Sequence, residues 1–267
     1  SYIEASVEDN ASEDTEATKR RVAGMGDEGY YGALIDANWD SPIGDFFKEY
    51  DDALHCVPDF EVPKAWQKGS FLTFDWGSDD PFCVQWWCVS DGNEHKQGMN
   101  TIWFPRGSLI CYREWYGCKS ANEPGKGLHI SNREIAEGII ERTTEDTSGV
   151  VLTDSFPFMS KGTIKHGREY RIADEFEEYG VPLVKANTQR VYGWKQVRDR
   201  LRGRNGEPLI YFTQSCKYTR DYLPMLGYHE SGKREDAAEH GEPTHASDCV
   251  RYAATTKPVV FEEASID

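Results

Sequence analysis

From residue 70 to about residue 116, the spacing of apolar and polar positions is that of a β-sheet. Ser70 to Asp75 predicts a short apolar strand, the turn Gly77-Ser-Asp-Asp-Pro81 follows it, and Phe82 to Ser90 carries the aromatic and β-branched residues that strands favour. A polar loop from Asp91 to Gly98 leads to a strand at Ile102 to Phe104, and Ser108 to Trp115 predicts another long one. Consecutive strands with short connections predict an antiparallel meander.

Beyond residue 128 helices alternate with strands. Ser131 with Glu134 three residues on is a capping box for a helix to about Thr143, and Val150 to Asp154 is a β-branched strand ending on an aspartate. A helix from about Glu169 to Tyr179 is stopped by Gly180. A strand at Pro182 to Lys185, a basic helix at Arg190 to Arg202, a strand at Leu209 to Thr213 and a helix from about Thr244 to Ala254 complete the series. Three antiparallel strands followed by parallel strands and their helices form a mixed sheet flanked by helices, the α/β order of an RNase H-like domain.

Charge divides the chain differently. Residues 1 to 54 hold fourteen acidic and four basic side chains, so −10 of the net charge of −16 sits in the first fifth. Within that stretch Glu13 to Gly24 predicts a short helix, Asn38-Trp-Asp and Ser41-Pro-Ile-Gly predict turns, and Pro58 to Trp66 leads into the next element. The expected organisation is an acidic segment over 1–66 and the α/β domain over 67–267. The chain opens on Ser1 rather than Met, which fits a piece of something larger. An aromatic content of 13% makes the charge a surface property of a folded body. No apolar run approaches the roughly 20 residues of a membrane span, and no membrane partner is expected.

The seven cysteines are scattered without paired CxxC knuckles, as reduced cytoplasmic thiols are. A tetrahedral site from Cys216, His229, His240, His245 and Cys249 is the alternative, since His245 and Cys249 lie one helical turn apart. Gly227-Tyr-His-Glu-Ser-Gly-Lys-Arg matches GxxxxGK, but Arg234 stands where a hydroxyl would bind Mg²⁺, so no ATP site is expected.

Two aspartates, Asp75 and Asp154, stand at strand ends, where sheets build sites, and Asp248 lies on the last helix. Gathered together, three carboxylates repel one another unless cations or shared protons intervene. Their hard oxygens suit Mg²⁺ or Mn²⁺, and two such ions about 4 Å apart would catalyse phosphodiester hydrolysis. Chance also puts aspartates at strand ends in a chain with 46 acidic residues. Asp79 and Asp80 read as turn formers, and Glu114 is the stand-in ligand. Residues 185 to 204 carry a local net charge of +6, and Lys195, Arg198 and Arg202, at i, i+3 and i+7, form a helix stripe suited to a phosphate backbone or simply to solvent.

Taken in order, FDWGSDDPFCVQWW, LICYREWYGC, GLHISNREIAEGI, VVLTDSFPF, GVPLVKANTQRVYGWKQVRDRL, LIYFTQSCKYTRDYLP and HASDCVRYA resemble the C-terminal nuclease half of tailed-bacteriophage large terminase subunits. The resemblance implies an RNase H-like endonuclease that cuts concatemeric viral DNA during packaging. It implies two Mg²⁺ or Mn²⁺ ions on Asp75, Asp154 and Asp248, with His245 orienting them or contacting phosphate. Arg190, Lys195, Arg198 and Arg202 are expected to contact double-stranded DNA. In the parent protein the ATPase motor domain, the small terminase subunit and the portal would be partners, in the cytoplasm of the infected bacterial host, and the isolated chain is expected to be monomeric. Two departures stand out: the Walker motor is absent, and the lead-in to His245 is diverged, with Glu242 as the candidate replacement. Two competing readings are a catalytically weak docking module of the packaging motor and an RNase H-like junction resolvase or transposase-type nuclease.

Overall fold

The structure, a computed structural model, describes residues 46–143, 149–160, 162, 164–165, 167–228, 236–237 and 244–256. Seven strands form its main sheet: β1 (Cys56–Val57), β2 (Phe71–Asp75), β3 (Cys83–Val89), β4 (Leu109–Tyr116), β5 (Val151–Thr153), β6 (Leu183–Lys185) and β7 (Ile210–Thr213). Their order across the sheet is β1-β7-β4-β3-β2-β5-β6. β2, β3 and β4 pair antiparallel, while β5, β6, β7 and β1 add in parallel at the two sides. This is the mixed sheet expected from the element order. A bulge between Trp86 and Trp87 shifts the β3–β4 register, so that Trp86 faces Arg113 and Trp87 faces Cys111.

Among the described residues, five helices of six or more residues flank the sheet: α1 (Asn132–Arg142), α2 (Ile172–Glu178), α3 (Arg190–Arg202), α4 (Lys217–Tyr222) and α5 (His245–Thr256). Because successive strand residues point to opposite faces, each strand feeds two cores. Leu72, Phe74, Val84 and Trp86 pack against Ile135 and Ile139 of α1 and Phe176 of α2. Phe71, Trp87, Cys111 and Phe212 pack on the other face against Trp194 and Val197 of α3 and Val250 and Ala253 of α5.

Several boundaries differ from the sequence expectation. Ile102 to Phe104 does not enter the main sheet. Asn100–Ile102 instead pairs with His95–Gln97 in a separate two-stranded ribbon, and Trp103 is left 47% exposed. The helix expected from Glu169 begins at Ile172, after the short strands Ile164–Lys165 and Arg168–Glu169. The hairpin Cys118–Ser120/Glu123–Gly127 was not expected. Neither were β1 and α4. Residues 46 to 57 join the same body, since Phe46 and Phe47 are buried in the α3–α5 core and β1 extends the sheet beside β7. The turns expected at 38–44 and the helix at 13–24 lie outside the described residues.

All seven cysteines are unpaired. The Cys216 and Cys249 thiols donate to the backbone carbonyls of Cys111 and Cys83, each at 3.3 Å, whereas His229 and His240 lie outside the described residues. Most of the GxxxxGK-like stretch, and Glu242, lie outside them as well. No described helix is long and apolar enough to cross a membrane.

The capping box at α1 is present as expected: the Glu134 backbone N–H donates to Ser131 Oγ, and the Ser131 N–H donates to the Glu134 carboxylate. Ser131→Ala removes one of these bonds. Urea unfolding of the variant is expected to show a loss of about 1 kcal/mol, as a lower midpoint at constant m-value, and an unchanged midpoint would contradict the assignment.

Candidate active site

β2 and β5 are parallel neighbours whose last registered pair is Phe74 with Thr153. One residue further along each strand stand Asp75 and Asp154, so a shared register brings the two carboxylates to the same sheet edge. α5 crosses that edge. Its first turn is fixed from below by Gln85 of β3, whose side-chain amide donates to the Ala246 carbonyl at 2.9 Å. Asp248 follows two residues later, and its backbone N–H donates to the Thr244 carbonyl at 2.8 Å. The three aspartates line one cavity of about 540 Å³.

The helix that brings Asp248 also brings partners for Asp75. His245 Nδ1 donates to Asp75 Oδ2 at 2.5 Å, and the Tyr252 hydroxyl donates to Oδ1 at 2.9 Å. His245, Asp248 and Tyr252 are spaced i, i+3 and i+7, which puts all three on one helix face. Arg251 completes the group. Its Nε and Nη2 donate to Asp248 Oδ1 at 3.0 and 2.7 Å, and its Nη1 donates to the Thr188 carbonyl at 2.9 Å.

Electrostatics register the crowding. Burial, together with the charges of Asp75 and Asp248, pushes Asp154 up to about 6, against a partial offset from the Phe156 backbone N–H. Burial also raises Asp248, with Asp75 adding to the effect and Arg251 opposing it. For His245 burial acts downward, yet the hydrogen bond and charge of Asp75, with Asp248 and Asp80, raise it above its usual value. Burial first and the surrounding carboxylates second raise the Tyr252 phenol, so its hydroxyl stays a donor.

The remaining expected residues distribute unevenly. Asp79 and Asp80 line the cavity mouth beside Gly77. Glu114, the stand-in ligand, is committed elsewhere: it is half-buried under α4, where the Tyr218 and Thr219 backbone N–H groups donate to its two oxygens at 2.8 Å each. Burial pushes it up to about 7. Arg190 lines the acidic cavity while its Nε pairs with Asp236 at 3.1 Å. A second groove of about 920 Å³ on α3 is lined by Arg190, Lys195, Arg198 and Arg202. The helix stripe is thus present. Arg202 and Arg198 both meet Glu49, at 2.6 and 3.6 Å, and Lys195 is exposed.

Sequence reasoning missed Tyr252 and Arg251, which helical spacing alone does not single out. It also missed the stacked rings of Trp76 and Phe156, 5.3 Å apart, on the cavity wall. Oxygen donors of this kind have the chemistry a hard divalent ion requires. Among the described residues, however, no three His, Cys, Asp or Glu side chains converge closely enough to hold one ion. Asp248 Oδ1 faces Arg251, and Asp75 faces His245 and Tyr252.

No protein-family model and no curated protein matches the chain. Its architecture is nevertheless that of an RNase H-like domain, and specifically the fold of a phage terminase nuclease domain. The large terminase of a thermophilic bacteriophage aligns over 93% of this chain with a TM-score of 0.58 and 18% identity, and a further crystal form of it gives 0.57 and 19%. The large terminase nuclease domain of phage P22 aligns over 79% of this chain and 91% of its own length, with a TM-score of 0.54 and 11% identity. This chain spans 53% of the length of the thermophilic phage protein. At these identities the likeness establishes the fold.

The raised Asp154 has a definite sign. A carboxyl group at about 6 in the folded chain and 3.8 when unfolded keeps its full contribution below pH 4 and loses it as pH rises through 6. Asp154→Asn removes the ionised group and is expected to stabilise the chain by about 1 kcal/mol at pH 7.5 in EDTA, after allowance for solvent screening. The gain should vanish near pH 3.5. A melting temperature at pH 7.5 equal to or below the unsubstituted chain's would contradict this.

Proposed function

We propose that the chain is a metal-dependent endonuclease domain that hydrolyses double-stranded DNA during viral genome packaging. The observation that supports this most is that Asp75, Asp154 and Asp248, carried by two neighbouring strand ends and a helix, open on one cavity. The likeness in fold to phage large terminases points the same way. Asp75, Asp154 and Asp248, which line one cavity without converging on a single point, would have to draw together to hold Mg²⁺ or Mn²⁺. Two bound ions would polarise the scissile phosphate and increase the acidity of the attacking water.

The chain's own residues divide the remaining work. His245 and Tyr252 hold both oxygens of Asp75, so its rotamer is fixed before substrate arrives. Asp154, at about 6, is ionised at neutral pH. Arg190, on the wall shared by the cavity and the α3 groove, would meet a phosphate, and Lys195 with Arg198 and Arg202 would continue the cationic track once the pairing of these two arginines with Glu49 gives way to phosphate. In a longer parent chain an ATPase motor domain would precede this one, with the small terminase subunit and the portal as partners, in the host cytoplasm.

Nicking of supercoiled plasmid tests the reading. Cutting is expected with Mn²⁺ and none with EDTA, and Asp75→Ala should lower the rate by more than about 100-fold. Equal cutting under all three conditions would overturn it. Absence of cutting by the unsubstituted chain in Mn²⁺ would favour a docking role. In DNA-binding titrations, Lys195→Ala should reduce the slope of log K against log[salt] by about one, and an unchanged slope would remove Lys195 from the track.

A further inference from the structure

Arg251 is an expensive residue to keep where it is. Its side chain is 4% exposed, and that of its partner Asp248 is 12% exposed. Buried ion pairs rarely stabilise a fold more than an apolar pair of the same volume would, because both ions give up their hydration. The surroundings nonetheless fix Arg251 from every side. Two of its N–H groups converge on a single oxygen of Asp248, and a third meets the Thr188 carbonyl. Its guanidinium lies 5.1 Å from the Trp194 ring centre and 5.0 Å from that of Tyr252. Its stem crosses α3 at Gly193, where a Cβ would come within 2.5 Å of Arg251 Cγ, so any larger residue would push it away.

What distinguishes this pair from an ordinary buried one is its position. Asp248 faces a cavity that Asp75 and Asp154 also line, and a guanidinium cannot be deprotonated to relieve the contact. Asp248 Oδ1 is doubly bonded to Arg251, so the arginine already neutralises part of the charge that a divalent ion would seek. We propose that Arg251 is the resident counter-cation of this centre, engaging Asp248 and offsetting the repulsion of the three carboxylates, so that a divalent cation binds in opposition to its charge. The inference rests on the metal-binding reading above. It assigns Arg251 as a positioning residue that sets how tightly the centre takes an ion.

Isothermal titration of the whole 267-residue chain with Mn²⁺ alone, without DNA, tests it. Arg251→Met keeps the bulk and removes the charge, and should bind Mn²⁺ at least about tenfold more tightly than the unsubstituted chain. Arg251→Lys keeps the charge but loses the two-pronged contact, and should stay within about threefold of the unsubstituted chain. Tighter binding by the Met variant alone supports the counter-cation role, including the case in which only that variant binds measurably. Equal or weaker binding by the Met variant, or a drop of more than about tenfold in the Lys variant, overturns the role and leaves the metal reading standing. Absence of binding in all three chains sinks the metal reading and this inference with it. Should the Met variant fail to fold in metal-free buffer, the Lys variant decides alone.

Discussion

The mutual repulsion of Asp75, Asp154 and Asp248 is the constraint around which this molecule is organised. Carboxylates that share a cavity stay ionised together only when something cationic or hydrogen-bonding answers them. Here the answering groups are carried by one helix: His245 and Tyr252 hold Asp75, and Arg251 holds Asp248. α5 can do this because it is pressed closely onto the sheet. Ala246, Cys249, Val250, Ala253 and Ala254 are fully buried, and their small size lets the backbone approach β2 and β3. The same closeness requires Gly193 on α3, across which the Arg251 stem passes.

The position of the centre follows from strand direction. β2 and β5 run parallel, so their carboxyl ends emerge together, and the chain leaving each ends on an aspartate. β3 and β4 continue antiparallel and contribute no acid to that edge. Their role is support: Gln85 bonds the first turn of α5, and Glu114 caps α4, to which Gln85 is joined through Thr219. A continuous chain of polar contacts, half-buried at Glu114 and buried at Gln85, therefore runs from β4 to the helix that carries Asp248. Such networks are costly when incomplete and specifying when satisfied.

Much of this was legible in the residues. The bounds of α3 match the expected Arg190 to Arg202, and α1 was marked by its capping box, because both features are local. β2, β3, β4 and β5 were readable from their β-branched and aromatic content. Elements fixed by distant contacts were not. β1 has two residues and exists through pairing with Phe212 and Thr213, and α4 has six and starts where Glu114 meets its N-terminus. Ile102 to Phe104 misled because its aromatic composition is that of a strand, while Trp103 points outward. Asp75 and Asp154 could be singled out by their strand-end positions, whereas Asp248, on a helix, was singled out by the resemblance. Arg251 and Tyr252 could not be distinguished from other helix residues until α5 was seen lying across the sheet edge.

The account stands or falls on whether the three aspartates together take a divalent ion. Anomalous diffraction from a crystal of this chain soaked in Mn²⁺ tests that directly. The account predicts manganese peaks inside the cavity bounded by Asp75, Asp154 and Asp248. A fully soaked crystal with no peak there, or with manganese bound only at other carboxylates, would contradict it.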